Sequence, residues 1–538
     1  MNKLEVPRQS RGFDHNGRRL HFGNVRHCQC EKAMSTIQHS QVPPTSSRLS
    51  TGNPGLDEIM EGGFVPGRLY LLEGAPGTGK TTVAMQFLMA NAAAGAKSLY
   101  VTLSETAEEL RASARSHGWQ LPDGLNLFEL VPPENVLSED HQQSLLYSSD
   151  LELGESVKRI FQEVERIKPK IIVLGSLSEI RLLAQSSLRY RRQVLSLKHY
   201  FNGRGITVLM LDDMTADISD KTVHSVAHGV LMLEELAPTY GAERRRMRVL
   251  KYRGSTYRGG YHDFTITRGG VKVFPRLRAA DHKKTVDRRS LGSGIAALDQ
   301  LLGGGVERGT SALLLGPAGA GKSLLALTFA LESVRRGERV ALFLFDEELG
   351  LLFDRAKNMG IELEQMRDDG MLLVEQVDAA ELSPGEFADR VRKTVIQHGA
   401  KTVIVDSLNG YQASMPEEQF LLLHIHELLQ YLNRQGATTF LTVAQHGLVG
   451  DMKAPVDITY LADTVLLLRY FEARGRVRRA ISVIKKRAGH HEDTIREYQI
   501  GSTGVRLGEP LVTFQGVLRG VPEYAGDGKA LIDSKGAP

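Results

Sequence analysis

The chain is written twice. The segment from Thr51, "TGNPGLDEIMEGGFVPGRLYLLEGAPGTGKTT", returns from Ser293 as "SGIAALDQLLGGGVERGTSALLLGPAGAGKSL". Asp57 and Asp299, Gly67 and Gly309, Lys80 and Lys322, Glu105 and Glu347, and Gly118 and Gly360 all stand 242 residues apart (299−57). Later landmarks drift: Gly175 and Asp406 are 231 apart (406−175), and Lys251 and Lys485 are 234 apart (485−251). The first copy therefore carries eleven extra residues (242−231) between Gly118 and Gly175. A period of roughly 230 residues is far beyond the ~20–50 of a solenoid, so each copy must be a domain with its own core.

The boundaries follow from composition. Residues 1–45 are polar, without a sustained period, and are expected to be disordered. The first domain is placed at 46–277, a charged linker at 278–288, the second domain at 289–520 and a flexible tail at 521–538. Met34 is a second candidate start. A net charge of +4 on 538 residues argues against a nucleic-acid-coating or membrane-surface protein. No apolar run reaches the roughly 18 residues that span a bilayer. The only cysteines, Cys28 and Cys30, lie near His21 and His27 in the polar leader and are read as unpaired thiols rather than a metal site. These features point to a cytoplasmic protein.

Within each copy, short apolar runs alternate with helical patterns. "LYLLEG" and "SALLLG" are too short and too apolar for surface helices and read as buried strands. The helices "KTTVAMQFLMANAAAG" and "KSLLALTFALESVRRG" follow. Such alternation predicts an α/β fold: a mostly parallel sheet with helices on both faces. The last third of each copy reads as consecutive strands, assigned as antiparallel extensions.

"GAPGTGKTT" and "GPAGAGKSL" each fit G-x-x-x-x-G-K-[ST] between a strand and a helix, the context of a phosphate-binding loop. Gly74, Gly77, Gly79, Gly316, Gly319 and Gly321 let the backbone wrap phosphates with N–H groups inward. Lys80 and Lys322 would reach the β and γ phosphates, and Thr81 and Ser323 would ligate Mg²⁺; Thr82 and Leu324 close the two motifs. The ligand implied is ATP with Mg²⁺. Glu105, after Ser104, and Glu347, after Asp346, end the next strand, where a base for an attacking water belongs. Glu108, Glu109 and Glu348 read as helix N-terminal carboxylates. Asp406 ends the buried strand "TVIVD" and would support Mg²⁺; the matching strand "IIVLG" ends in Gly175. Gln445, with the weaker His446 beside it, ends another strand and is a candidate γ-phosphate sensor, an ordinary strand-end loop being the alternative.

With these parts placed, the chain resembles the KaiC family of double-domain, RecA-like ATPases from about residue 47 to 520. The resemblance rests on "STGNPGLDEIMEGGFVPG", the two phosphate loops, the acidic residues after the second strand, "SEIRLLAQSSLRYRRQVLSLKHYF", "LKYRGS" and "IKKRAGHH". It implies two tandem P-loop NTPase domains and a homo-hexamer with ATP between neighbouring subunits. It also implies that Lys251 with Arg253, and Lys485 with Arg487, reach a neighbour's γ-phosphate. In the family's second domain a Ser-Thr pair is autophosphorylated; here that place holds Thr459 and Tyr460, so Thr459 is the candidate acceptor. Asp346 stands where the kinase domain has a glutamate and is a second candidate base. Signalling partners and clock-like regulation are what the resemblance implies for output.

Loss of the carboxylate at Gly175 implies a first domain that binds ATP but turns it over slowly, with bound ATP holding the ring together, and a faster second domain. On that reading Gly175→Asp should speed the first domain. Two other functions keep the same fold: a single-stranded-DNA motor or recombinase, for which Arg189–Arg204 is the nearest basic segment, and an ATP-gated signalling scaffold.

Overall fold

The computed structural model describes residues 48–130, 145–214, 222–237, 241–278, 289–413, 418–445, 459–502, 504–519 and 523–524. The leader with Cys28 and Cys30, nearly all of the 278–288 linker, His446 and most of the tail lie outside the described residues. No described helix is long and apolar enough to cross a membrane.

Each copy builds one nine-stranded sheet. In the first, β1 (Leu69–Glu73), β2 (Ser98–Thr102), β3 (Leu125–Glu129), β4 (Ile171–Gly175) and β5 (Thr207–Asp212) are followed by β6 (Gly229–Leu236), β7 (Arg244–Tyr252), β8 (His262–Thr267) and β9 (Gly270–Phe274). The order is β3-β2-β4-β5-β1-β6-β7-β8-β9. A two-stranded ribbon, β10 (Ser290–Leu291) and β11 (Val306–Glu307), opens the second copy. Then come β12 (Ser311–Gly316), β13 (Val340–Leu344), β14 (Leu372–Gln376), β15 (Thr402–Asp406), β16 (Thr438–Ala444), β17 (Thr464–Ala473), β18 (Arg476–Lys486), β19 (Arg496–Gly501) and β20 (Gly504–Pro510), in the order β14-β13-β15-β16-β12-β17-β18-β19-β20.

β1 and β12 are the pivot of their sheets. Every residue of both is buried, as strands covered by helices on both faces require. β6 and β17 pair parallel with them, so the antiparallel wing assigned from the sequence starts one strand later, at β7 and β18. In the first copy the short helix Thr222–Val226 stands between β5 and β6, and parallel neighbours need a crossover of this kind.

The eleven-residue excess also resolves into two parts. β3 and β14 start 247 residues apart (372−125), so the second copy is the longer one up to this strand, where it adds the helix Leu363–Asp368. The first copy overtakes it afterwards, in the stretch holding the 23-residue helix Leu145–Ile167.

The helix after each loop locks onto the sheet through an aromatic at the same repeat position. Phe87 meets Phe64 edge-on at 5.0 Å, and Phe329 stacks on Phe440 at 4.6 Å. The two domains touch where the first domain's wing meets the second domain's helix Pro384–Lys393. The Gly385 N–H donates to Asp263 at 2.7 Å, and Arg276 pairs with Glu427 at 2.9 Å.

The repeated aspartates Asp57 and Asp299 are structural. Asp57 accepts from the Thr51 N–H at 2.8 Å and the Thr51 hydroxyl at 2.7 Å; Asp299 accepts from the Ser293 N–H at 2.6 Å and its hydroxyl at 2.8 Å. Each fixes the turn that starts its domain. Asp299→Ala should lower stability by about 1–3 kcal/mol, read as a lower Tm, with nucleotide affinity unchanged.

Candidate functional site

Both phosphate loops open at the C-terminal end of the pivot strand. Gly79 and Gly321 cap the following helices at φ 92° and 94°, in the left-handed region. A Cβ on Gly79 would come within 2.5 Å of the Ile266 Cδ1, and one on Gly321 within 2.4 Å of the Ile500 Cδ1. The left-handed backbone favours glycine at both positions, and a side chain there would also push the isoleucine tip aside. The lysines fold back over their loops. Lys80 Nζ donates to the carbonyls of Gly74 and Ala75 at 2.8 and 2.9 Å, and Lys322 Nζ to those of Gly316 and Pro317 at 3.0 and 2.9 Å.

In the first domain these parts line a cleft of about 390 Å³. Gly77, Gly79, Lys80, Thr81, Thr82, Ser104, Glu105 and Gly175 all face it, together with Ser176, Leu211 and Asp213. The Thr81 hydroxyl donates to Glu105 at 3.3 Å. Burial pushes the Glu105 carboxyl up; the bond from Thr81 opposes this, and the charges of Glu109 and Asp213 add to it. In the second domain burial also pushes Glu347 up, against the pull of Arg355, which pairs with it at 2.9 Å, and with a push from Asp406. Asp346 accepts a hydrogen bond from Ser407. Leu324 packs in the core with Phe329, so that position offers the site only its backbone.

The strand-end positions show why the two halves differ. β4 pairs with β2 so that Gly175 lies opposite Thr102, and β15 with β13 so that Asp406 lies opposite Leu344. In the second domain Thr442 on β16 donates to Asp406. The matching residue on β5 is Leu211, since Leu72 faces Leu211 as Leu314 faces Thr442. A Cβ on Gly175 would lie 2.9 Å from the Leu211 Cδ1. The missing carboxylate is thus half of a paired exchange: Asp with Thr in one domain, Gly with Leu in the other.

A carboxylate that the motif search passed over sits nearby. Asp213, just past β5, pairs with Lys80 at 2.9 Å and accepts from the Ser178 hydroxyl at 3.2 Å. Burial opposes its charge, but hydrogen bonds from Ser176, Lys80 and Ser178 and the ammonium itself hold its carboxyl below the usual range. The matching residue in the other copy is Ala444, whose backbone is tied on both sides by Asn409, at 2.7 and 3.1 Å. The signal was present in "TVLMLDD" against "TTFLTVA". Gln445 follows Ala444 in the second copy, buried, with its side-chain oxygen unpartnered.

The basic pairs stand elsewhere. Lys251 and Arg253 do not line the cleft; they donate to the carbonyls of His224 and, at 2.9 Å, Ser225. A bulge interrupts the pairing of β7 and of β18 beside these residues. Val230 faces Lys251 while Leu231 faces Val249, and Val465 faces Lys485 while Leu466 faces Val483. Lys485 Nζ donates to the carbonyls of Thr459 and Ala462, both at 2.8 Å, and Arg487 pairs with Asp463 at 3.1 Å.

A family model described as "ATPase: KaiC" matches residues 49–278 and again 291–512. The chain belongs to the KaiC family of P-loop ATPases. Among its relatives are the circadian clock oscillator protein KaiC of Picosynechococcus, 28% identical over 88% of this chain and 92% of that protein, and the circadian clock protein KaiC3 of Synechocystis, 29% identical over 89% and 95%. Membership does not favour the DNA-motor or scaffold readings. The basic segment once weighed for DNA is a helix, Ser187–Gly203, that buries Tyr190, Val194, Leu197 and Phe201 and leaves Arg189 and Arg192 as its solvated face.

For this KaiC-family chain the paired exchange adds a packing condition to Gly175→Asp. The single change should destabilise the first domain by about 1–3 kcal/mol through overpacking. Gly175→Asp with Leu211→Thr should recover most of the loss, read as Tm in parallel melts.

Proposed function

We propose that this chain is a ring-forming, Mg²⁺-dependent ATPase of regulatory, clock-like output, with ATP clasped between subunits. In this reading Lys80 and Lys322 bind the β and γ phosphates. Gly74, Gly77, Gly79, Gly316, Gly319 and Gly321 give the cradle. Thr81, Ser323 and Asp406 would hold Mg²⁺, and Glu105 and Glu347 orient the attacking water. The oxygens fit such an ion: Mg²⁺ is commonly bound through one or two carboxylates plus phosphate oxygens. When bound it neutralises charge on the phosphates during transfer. Asp346, held by Ser407, serves to position its neighbour.

The observation that carries this reading is a knot of cations away from the chain's own cleft. Burial pushes His228 down to about 4, and the next influences are Arg68, Arg253, Lys198 and Lys251, all cationic. Lys251 and Lys198 are lowered in the same way, by burial and then by the charge of Arg253. Such a patch calls for an anion from outside, and a neighbour's triphosphate supplies one. In the second domain Lys485 grips the carbonyl of Thr459. The candidate phosphoacceptor and Lys485 are therefore tied together on one side of the domain. Gln445, with its free buried oxygen, senses the γ-phosphate.

Purified chain incubated with γ-labelled ATP should assemble into hexamers, release labelled phosphate and retain some label at Thr459. A chain that stays single with and without nucleotide, and holds no adenine ligand, would end this reading. Glu347→Gln should cut release by about 10²–10⁴-fold. The rate should also fall as pH drops through the raised Glu347 value, because the base works deprotonated. That limb should lie above the ~4.3 of an ordinary glutamate and vanish in Glu347→Gln.

A further inference from the structure

We propose that Asp213 is the metal-side carboxylate of the first domain, moved from the end of β4, where the second domain keeps it as Asp406, to the end of β5. The proposal rests on the nucleotide-binding reading above and deepens it for one site.

Five positions have changed together. Where the second domain has Asp346, Asp406, Asn409, Thr442 and Ala444, the first has Ser104, Gly175, Ser178, Leu211 and Asp213. The contacts explain the set. In the second domain Ser407 is engaged by Asp346, Asp406 by Thr442, and the Ala444 backbone by Asn409. In the first domain the absence of a carboxylate at 104 leaves Ser176 to bond Ser178, and Ser178 donates to Asp213. Leu211 fills the space that a side chain at 175 would need. The cleft thus keeps one strand-end carboxylate beside its lysine, approached from the other neighbouring strand.

Asp213 is placed to serve two states. It neutralises Lys80 at 2.9 Å, as a buried ammonium needs. With Lys80 on a triphosphate, Asp213 would accept from water around an ion that Thr81 would hold. Both lysines rest on two loop carbonyls; the supporting charge is Asp213 in the first domain and Asp406 in the second. Asp213 is a positioning residue in this scheme.

The test uses the full chain with Lys322→Ala to silence the second site, and methylanthraniloyl-ATP as probe, titrated with Mg²⁺ or with EDTA. In this parent Mg²⁺ should tighten binding. Asp213→Asn and Asp213→Ala should each shrink that Mg²⁺ increment by about 10–100-fold while leaving binding in EDTA equal or tighter, since Lys80 loses its competitor. Adding Gly175→Asp and Leu211→Thr to Asp213→Ala should restore the increment by rebuilding the second-domain arrangement. An unchanged increment in the Asp213 variants overturns the proposal. So does an equal loss with and without Mg²⁺, which would make Asp213 only an anchor for Lys80, and so does failure of the folded triple variant, checked by Tm, to recover. A parent that binds no probe would instead overturn the functional reading itself.

Discussion

The site depends on two buried ammonium groups, each folded over its own loop. Lys80 and Lys322 sit at the first turn of a helix, where exposed N–H groups and the helix dipole already make the surroundings positive. A cation there is costly unless carbonyls or carboxylates surround it. The loop carbonyls at 2.8–3.0 Å do this in both domains, but only because left-handed glycines turn the chain back on itself. Those glycines in turn need a buried strand before them and a helix behind them. The aromatic contacts of Phe87 and Phe329 hold that helix in place. Phosphate affinity and fold are thus one requirement, which is why the loop is the best-matched part of the repeat.

Around this fixed centre the carboxylates have been free to move, though not one at a time. Gly175, Leu211 and Asp213 touch one cleft, and changes at touching positions are not additive. A carboxylate at 175 needs a hydroxyl opposite it and space at 211. Leucine at 211 supplies neither, but it closes the core against β4 and leaves the end of β5 as the place for charge. Two domains with the same strands, loop and lysine can therefore differ in how they hold an ion, without either being a damaged copy of the other.

What could be read in the sequence follows from the range of the interactions. The phosphate loops, the strands before them and Glu105 and Glu347 are local patterns at constant spacing, and all were legible. The parallel pairing of β6 and β17 was not, because strand direction is set by the path of the connection before each strand and not by composition. Nor was the Gly175–Leu211 exclusion, which depends on register between strands more than thirty residues apart in the chain (211−175). Asp213 was missed for a related reason: it has no matching carboxylate in the other copy, and repeat matching rewards only what is kept. The engagement of Asp346 by Ser407 likewise joins two segments that no motif spans.

The strands β7 and β18 show the same logic on a second surface. The backbone is shared: the Arg253 N–H donates to the His228 carbonyl as that of Arg487 donates to Asp463, and both precede equivalent bonds to the pivot strand. The side chain at that one position sets the electrostatics. Asp463 neutralises Arg487 within the chain, whereas burial, with the charges of Arg68, Arg253, Lys198 and Lys251 adding to it, pushes His228 well below the usual histidine range. Cations crowded in this way gain more from an incoming anion than cations already paired. The first domain therefore carries the denser positive surface at this position, and it combines that surface with a cleft whose lysine has its own carboxylate partner. The two repeats thus differ both at the phosphate loop and on the wing, through side chains carried on a shared backbone.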